Sequence, residues 1–122
     1  MNDKKFTVVL GASPNPARYS YLAVSRLAAN GHPILAIGKK EAQIGDTPVT
    51  KEHPVPANVD TVTLYMNPVL QREYYDYILQ LHPKRIIFNP GTENEELAAI
   101  AGSKGIETME ACTLVLLSTG QY

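Results

Sequence analysis

The chain has 122 residues, the size of one domain on a scale of ~100–200 residues per domain, and long enough to bury a core without staples. Apolar residues make up 44% and charged residues 19%, and 11 Lys and Arg nearly balance 12 Asp and Glu. That balance excludes disorder as the main state and excludes a protein that grips a nucleic-acid duplex by net charge. The single cysteine rules out an internal disulfide, and the cytoplasm is the expected compartment. No apolar run approaches the ~20 residues of a membrane helix, so no membrane partner is expected. Met1 to Phe6 lead straight into Thr7–Leu10, too short a run for the core of a secretion signal, so no leader is expected.

Phe6 to Leu10 is β-branched and almost continuously apolar, as suits a strand buried on both faces, and Gly11 ends it. From Ser20 to Asn30, Leu22, Ala23, Leu27 and Ala28 lie near one helical face, which Val24 widens. Ser20 is a candidate N-cap, and Gly31 holds the usual C′ position. Pro33–Ile37 reads as the second strand, stopped by Gly38. Lys39–Asp60 carries several prolines and no clear period, so it reads as a loop with one short edge strand near Thr47–Thr50. Thr61–Met66 is the third strand. Asn67-Pro68 then fits an N-cap followed by Pro at N1, and Leu70, Tyr74, Tyr77, Ile78 and Leu81 continue a helix to about Leu81. Lys84–Asn89 is the fourth strand. Thr92 with Glu95 fits a capping box, with Asn94 as a rival cap, and Leu97, Ala98, Ile100 and Ala101 form the face of the next helix. Gly105 precedes a fifth strand, Ile106–Met109. The tail from Ala111 to Ser118 fits either a short helix or a sixth strand.

Strands alternating with helices through short links imply an α/β chain with helices on both faces of a parallel sheet. The expectation is a three-layer, doubly wound sheet of about five strands in the order 3-2-1-4-5, formed by residues 1–122 as one domain. Ligands of such sheets bind beyond the carboxyl ends of the strands, where strand order reverses. That rule points to the loops Gly11–Ser20, Gly38–Lys40, Met66–Pro68 and Asn89–Thr92.

The first of these, Gly11-Ala12-Ser13-Pro14-Asn15-Pro16-Ala17-Arg18-Tyr19-Ser20, opens a helix, where free amides and the helix dipole favour a diphosphate. It is not a GxGxxG turn, since Gly11 stands alone. Ser13, Asn15 and Ser20 can donate hydrogen bonds, and Arg18 can pair with phosphate through two parallel bonds. The same residues could simply cap a helix. After the second strand an NAD-binding domain places an acid for the ribose 2′-hydroxyl. Gly38-Lys39-Lys40 stands there instead, suited to an extra ribose phosphate such as the 2′-phosphate of NADP or the 3′-phosphate of coenzyme A, or simply a solvated lysine pair.

These residues carry a resemblance. Val9-Leu10-Gly11-Ala12-Ser13, Arg18-Tyr19-Ser20, Leu64-Tyr65-Met66-Asn67-Pro68, Asn89-Pro90-Gly91-Thr92-Glu93-Asn94 and Glu110-Ala111-Cys112 resemble the small stand-alone CoA-binding proteins. Their fold is similar to the CoA-binding domain of the succinyl-CoA synthetase α subunit and of ADP-forming acyl-CoA synthetases. The resemblance runs in order from Phe6 to Tyr122. It implies a Rossmann-like domain that holds coenzyme A with its diphosphate on the first loop and helix. Related chains often have Asn-Pro after the second strand, where this one has Gly38-Lys39. On this reading Gly11, Ala12, Ser13, Asn15, Arg18, Tyr19 and Ser20 surround the diphosphate. Gly38, Lys39 and Lys40 meet the adenosine phosphate, and Met66, Asn67, Pro68, Asn89, Pro90 and Gly91 border the pantetheine arm. Asn67 has helix capping as its plainer role, and Gly91 either lets a ligand approach or supplies a positive φ.

The remaining candidates are weaker. Cys112 is either a thiol near the site or a small buried apolar residue, the commoner fate of a free cysteine. His32 and His82 lie at the amino ends of strands, away from the expected site, and no spacing fits a zinc centre. Glu93, Glu95 and Glu96 suit a helix start, and no paired acid accompanies Glu110. The expectation is a binder of coenzyme A or an acyl-CoA, without catalysis of its own. The alternatives are an NADP-binding enzyme or redox-sensing module, and a CoA-responsive subunit that engages a protein partner or a second copy.

Overall fold

In the computed structural model, which describes residues 4–122, the first apolar run forms β1 (Thr7–Leu10). Met1–Asp3, part of the stretch expected to hold no leader, lie outside the described residues. The chain continues through α1 (Tyr19–Ala29), β2 (Ile34–Ile37), β3 (Ala42–Ile44), β4 (Thr47–Thr50), β5 (Thr61–Leu64) and α2 (Pro68–Gln71). A 3-10 turn (Arg72–Tyr74) leads to α3 (Tyr75–Leu81), β6 (Arg85–Phe88), α4 (Glu95–Ser103), β7 (Glu107–Glu110) and α5 (Thr113–Ser118). No helix among the described residues is long and apolar enough to cross a membrane.

The strands form one mixed sheet of 7 strands in the order β3-β4-β2-β1-β5-β6-β7. Every neighbouring pair is parallel except β3 with β4. This corrects the expected five parallel strands in the order 3-2-1-4-5. The strand expected third pairs with β1, Thr61 opposite Thr7, and the place beside β2 belongs to β4. The cause lies in the segment expected to be mostly loop. Ile44 and Val49 are buried while Gln43 and Pro48 are exposed, a period of two that seats a hairpin on the sheet. Gly45-Asp46 closes that hairpin, with Gly45 at φ +58. Pro48 cannot donate to a ladder, and it lies outside the two pairs, Ala36 with Val49 and Ile37 with Thr50, that join β4 to β2.

Alternation along β1 builds two cores. Val8 and Leu10, with Val62, Leu64, Ile86 and Phe88, meet Tyr77, Ile78 and Leu81 of α3 and Leu97 and Ala101 of α4. Val9, with Ala36 and Val49, meets Val24 and Leu27 of α1, with Leu117 and Tyr122 packed alongside. The tail is thus a helix that packs on α1, not a sixth parallel strand. Two local expectations shift. Arg18, not Ser20, is the extended N-cap of α1, which leaves Ser20 buried in the first turn. The helix expected to run unbroken from Pro68 to Leu81 is interrupted by the 3-10 turn.

At the amino edge of the sheet Tyr122 covers the starts of β1, β5 and β6. The Tyr122 hydroxyl meets Thr7 Oγ1 at 2.5 Å, and Arg85 Nη2 donates to the Tyr122 carbonyl at 2.8 Å. Arg85 Nε donates to Thr61 Oγ1 at 2.7 Å, and its guanidinium lies 4.4 Å from the Tyr122 ring centre. The loops that follow the parallel strands β1, β2, β5 and β6 lie at the opposite, carboxyl edge.

Candidate functional site

Two glycines let the ends of neighbouring strands pack closely, Gly11 against the end of β5 and Gly38 against the loop after β1. Gly11 has φ +94, and a Cβ there would lie 2.8 Å from the Tyr65 carbonyl oxygen. A Cβ on Gly38 would run into the Ala12 carbonyl. The Gly11 and Ala12 amides both donate to Ile37 O, at 3.0 and 2.9 Å. Gly11, Ala12 and Gly38 thus set the spacing of the β1, β2 and β5 strand ends through backbone packing.

Beyond Ala12 the loop folds on its own side chains. Ser13 Oγ accepts from the Asn15 amide at 3.1 Å, and Asn15 Oδ1 accepts from the Ala17 amide at 3.0 Å. The Arg18 amide donates to Asn15 O at 3.0 Å, which delivers the chain into α1. The amides of Ser13, Tyr19 and Ser20 find no protein acceptor among the described residues. Two of them belong to the first turn of an 11-residue helix, where unsatisfied N–H groups and the dipole attract an anion. Asn15 and Arg18 are exposed, and Tyr19 is 72% exposed.

Lys39 and Lys40 are exposed just past β2. The neighbouring carboxylate of Glu41 is turned onto the end of β4, where it accepts from the Lys51 amide at 3.1 Å. Among the described residues the one side-chain ion pair, Arg72 with Glu96 at 3.9 Å, involves none of Arg18, Lys39 and Lys40. The adjoining β1 and β2 loops therefore offer three cations and three free amides.

The β5 and β6 loops are built differently. Asn67 Oδ1 accepts from the Leu70 amide at 3.0 Å, so this side chain caps α2, with Pro68 at the first helical position. Asn89 is buried. Its Nδ2 donates to Thr63 Oγ1 and Leu64 O at 2.7 and 2.8 Å, and its Oδ1 accepts from the Thr113 amide at 2.9 Å. It ties β5, β6 and the start of α5 together. Met66 is half-buried, and Pro90 and Gly91 are exposed. Gly91 has φ +90 with nothing within 4 Å of a Cβ, so the turn, and no close protein neighbour, requires glycine there. Asn94, not Thr92, caps α4, accepting from Leu97 N at 3.0 Å. The Thr92 hydroxyl donates instead to Asn89 O at 2.8 Å.

Sequence reasoning passes over Gln71. It is fully buried, and its amide joins the loop after β5 to the loop after β6. The available signal was its spacing: three and seven residues before Tyr74 and Ile78, it lies on the apolar face of that helical stretch.

Cys112 is half-buried at the N-cap of α5. The Tyr65 hydroxyl is buried with no hydrogen-bond partner among the described residues, and burial pushes its pKa above the usual range. His32 packs on Tyr122 at the amino edge, ring centres 4.9 Å apart, and His53 lies 5.0 Å from the rings of Tyr74 and Tyr77. No cluster of His, Cys, Asp or Glu able to hold a metal ion occurs among the described residues.

A family model described as a CoA binding domain matches residues 5–118. No curated protein matches the chain. Among solved structures, an uncharacterized protein is 50% identical with a TM-score of 0.95, and the match covers 99% of this chain and 100% of the other. A hypothetical protein from Pyrococcus horikoshii OT3 is 21% identical with a TM-score of 0.86, covering 96% of this chain and 84% of the other. A conserved hypothetical protein from Pyrococcus furiosus is 24% identical with a TM-score of 0.77, covering 92% and 97%. These two share the fold.

Proposed function

We propose, on the premise that the chain belongs to the family of CoA binding domains, that it binds coenzyme A or an acyl-CoA without catalysing a reaction itself. The observation that carries the reading is the pairing of two anion-seeking loops. Free amides at Ser13, Tyr19 and Ser20 stand beside Arg18 on one loop, and Lys39 and Lys40 stand on the other. Coenzyme A carries two separated anionic groups, a diphosphate and a ribose 3′-phosphate. The diphosphate takes the amides, Ser13, Asn15, Arg18 and the exposed Tyr19. The 3′-phosphate takes Lys39 and Lys40. Gly11, Ala12 and Gly38 keep the two loops close enough to serve one nucleotide. Met66, Pro68, Pro90 and Gly91 border the pantetheine arm, and the capping Asn67 and buried Asn89 hold those borders in place. The residues form one cytoplasmic binding domain over 1–122.

Calorimetric titration with coenzyme A, dephospho-CoA, acetyl-CoA and NADP tests this. Coenzyme A is expected to saturate, and dephospho-CoA to bind about tenfold more weakly, ~1.4 kcal/mol. Replacing Lys39 and Lys40 together by Ala should erase that difference, while Arg18→Ala should weaken both ligands. Saturable binding of NADP without coenzyme A would overturn the reading in favour of an NADP-binding module. Binding that needs a protein partner would favour the subunit alternative.

A further inference from the structure

We infer that Gln71 is a positioning residue that fixes the width of the pantetheine channel, an inference that rests on the CoA reading above. Its Nε2 donates to Met66 O at 2.8 Å and to Thr92 O at 2.8 Å. Those carbonyls belong to the two loops proposed to border the arm, and they lie 26 residues apart in sequence. Among the described residues no other side chain bonds to both loops' carbonyls at this point.

The orientation of this amide is forced. Met66 O and Thr92 O are acceptors only, so the NH2 end of Gln71 must face them. The Leu97 amide is a donor only, so the oxygen of Asn94 must face it, at 3.0 Å. The NH2 end of Asn94 is then left to donate to Gln71 Oε1 and to the Tyr75 hydroxyl, both at 2.9 Å. Tyr75 in turn donates to Glu96 at 2.9 Å. Donation thus starts at Asn94 and runs two ways, through Gln71 to the two carbonyls and through Tyr75 to Glu96. A buried network satisfied in this sense has one low-energy arrangement and rigidifies what it joins.

The loops of the nucleotide half have no share in this network. Gly38 sets their spacing through its contact with the Ala12 carbonyl, while Gly11 packs the β1 loop on Tyr65 at the end of β5. Loosening the Gln71 bridge should therefore affect the arm of the ligand and spare its nucleotide. Gln71→Met keeps volume and helix preference and removes both donors. Asn94→Asp keeps the α4 cap and sets an oxygen against Gln71 Oε1 in place of its donor, and it provides a second variant if Gln71→Met folds poorly.

The test compares dissociation constants for coenzyme A and for adenosine 3′,5′-bisphosphate, the nucleotide half alone. Gln71→Met is expected to weaken coenzyme A at least tenfold and the bisphosphate less than twofold, with Asn94→Asp changing the ratio in the same direction. Equal losses for both ligands, or an unchanged ratio in folded variants, would overturn the positioning role while leaving the CoA reading intact. A wild-type protein that binds neither ligand would overturn both.

Discussion

Gly38→Ala adds one methyl group and should produce a large loss. The new Cβ would overlap the Ala12 carbonyl and lie 3.0 Å from Val49 Cγ1. The valine could turn, but the carbonyl cannot move alone. Ala12 N is bonded to Ile37 O at 2.9 Å, and Gly38 N to Thr50 O at 3.0 Å. Relief requires shifting the backbone of β2 or of the first loop, an overpacking cost of about 1–3 kcal/mol. With an unfolding entropy of about 2.1 cal/mol/K per residue, a chain of 122 residues loses about 4 °C of melting temperature per kcal/mol. The expected fall is thus about 4–12 °C in a thermal melt without ligand. Gly102→Ala is the matched control. That glycine is helical, and nothing lies within 4 Å of its Cβ. The same substitution there should stabilise by about 0.5–1 kcal/mol and raise the melting temperature by about 2–4 °C. Opposite signs at the two positions support the argument. A Gly38→Ala protein that melts at or above wild type would refute it.

Asn89→Ala removes three buried hydrogen bonds, to Thr63, Leu64 and Thr113. At about 1 kcal/mol each the variant should lose about 3 kcal/mol, or about 12 °C in melting temperature. A variant that loses CoA affinity at wild-type stability would instead mark Asn89 as a direct ligand contact. His32 gives a pH signature. Burial first, then the charges of Lys4, Lys5 and Arg85, hold its pKa below the usual 6.5 against the opposing pull of Asp60. Its Nδ1 accepts from the Lys5 amide at 3.0 Å, so the neutral ring is the folded form. The unfolded chain takes up this proton at higher pH than the folded one, so stability falls as pH drops below about 6.5 towards the folded pKa. Melting temperatures between about pH 7 and pH 5 should fall more steeply for wild type than for His32→Asn, and identical slopes would refute the assignment.

What was legible in the sequence is what local patterning encodes. β1, β5 and β6 are wholly buried four-residue runs, and short runs rich in β-branched and apolar residues announce that, although β6 opens on Arg85. The Asn67-Pro68 helix start was legible because a cap and a fixed proline φ act within one turn. The strand order was not, because it depends on which distant segment fills the place beside β2. A hairpin containing Pro48 fills it, and proline there argues against a strand until its pairing partners are known. The N-cap of α1 was misplaced because Ser20 has the favoured chemistry, while Asn15 and its carbonyl turn the chain two residues earlier. The packing role of Gly38, which reads in sequence only as a strand stop and a phosphate neighbour, and the whole role of Gln71 were hidden for one reason. Their roles lie in contacts with Ala12 and with Met66 and Thr92, which no window of neighbouring residues contains.

Buried, fully bonded residues explain how a site can be stiff and still hold a charged ligand. Side chains with fixed hydrogen-bonding polarity, Asn89, Gln71 and Asn94, are buried and bonded to protein, so their free energy goes into shape. The groups left for an anion are backbone amides and solvated cations, and neither must be desolvated in the empty protein. The two sets should respond differently to conservative change. Arg for Lys39 or Lys40 keeps a mobile charge in water, where geometry is forgiving. Glu for Gln71 is nearly isosteric, yet it sets a carboxylate against the carbonyls of Met66 and Thr92, with a proton for at most one of them. The smallest change in shape thus falls where polarity is fixed, and the largest change in shape where it is free.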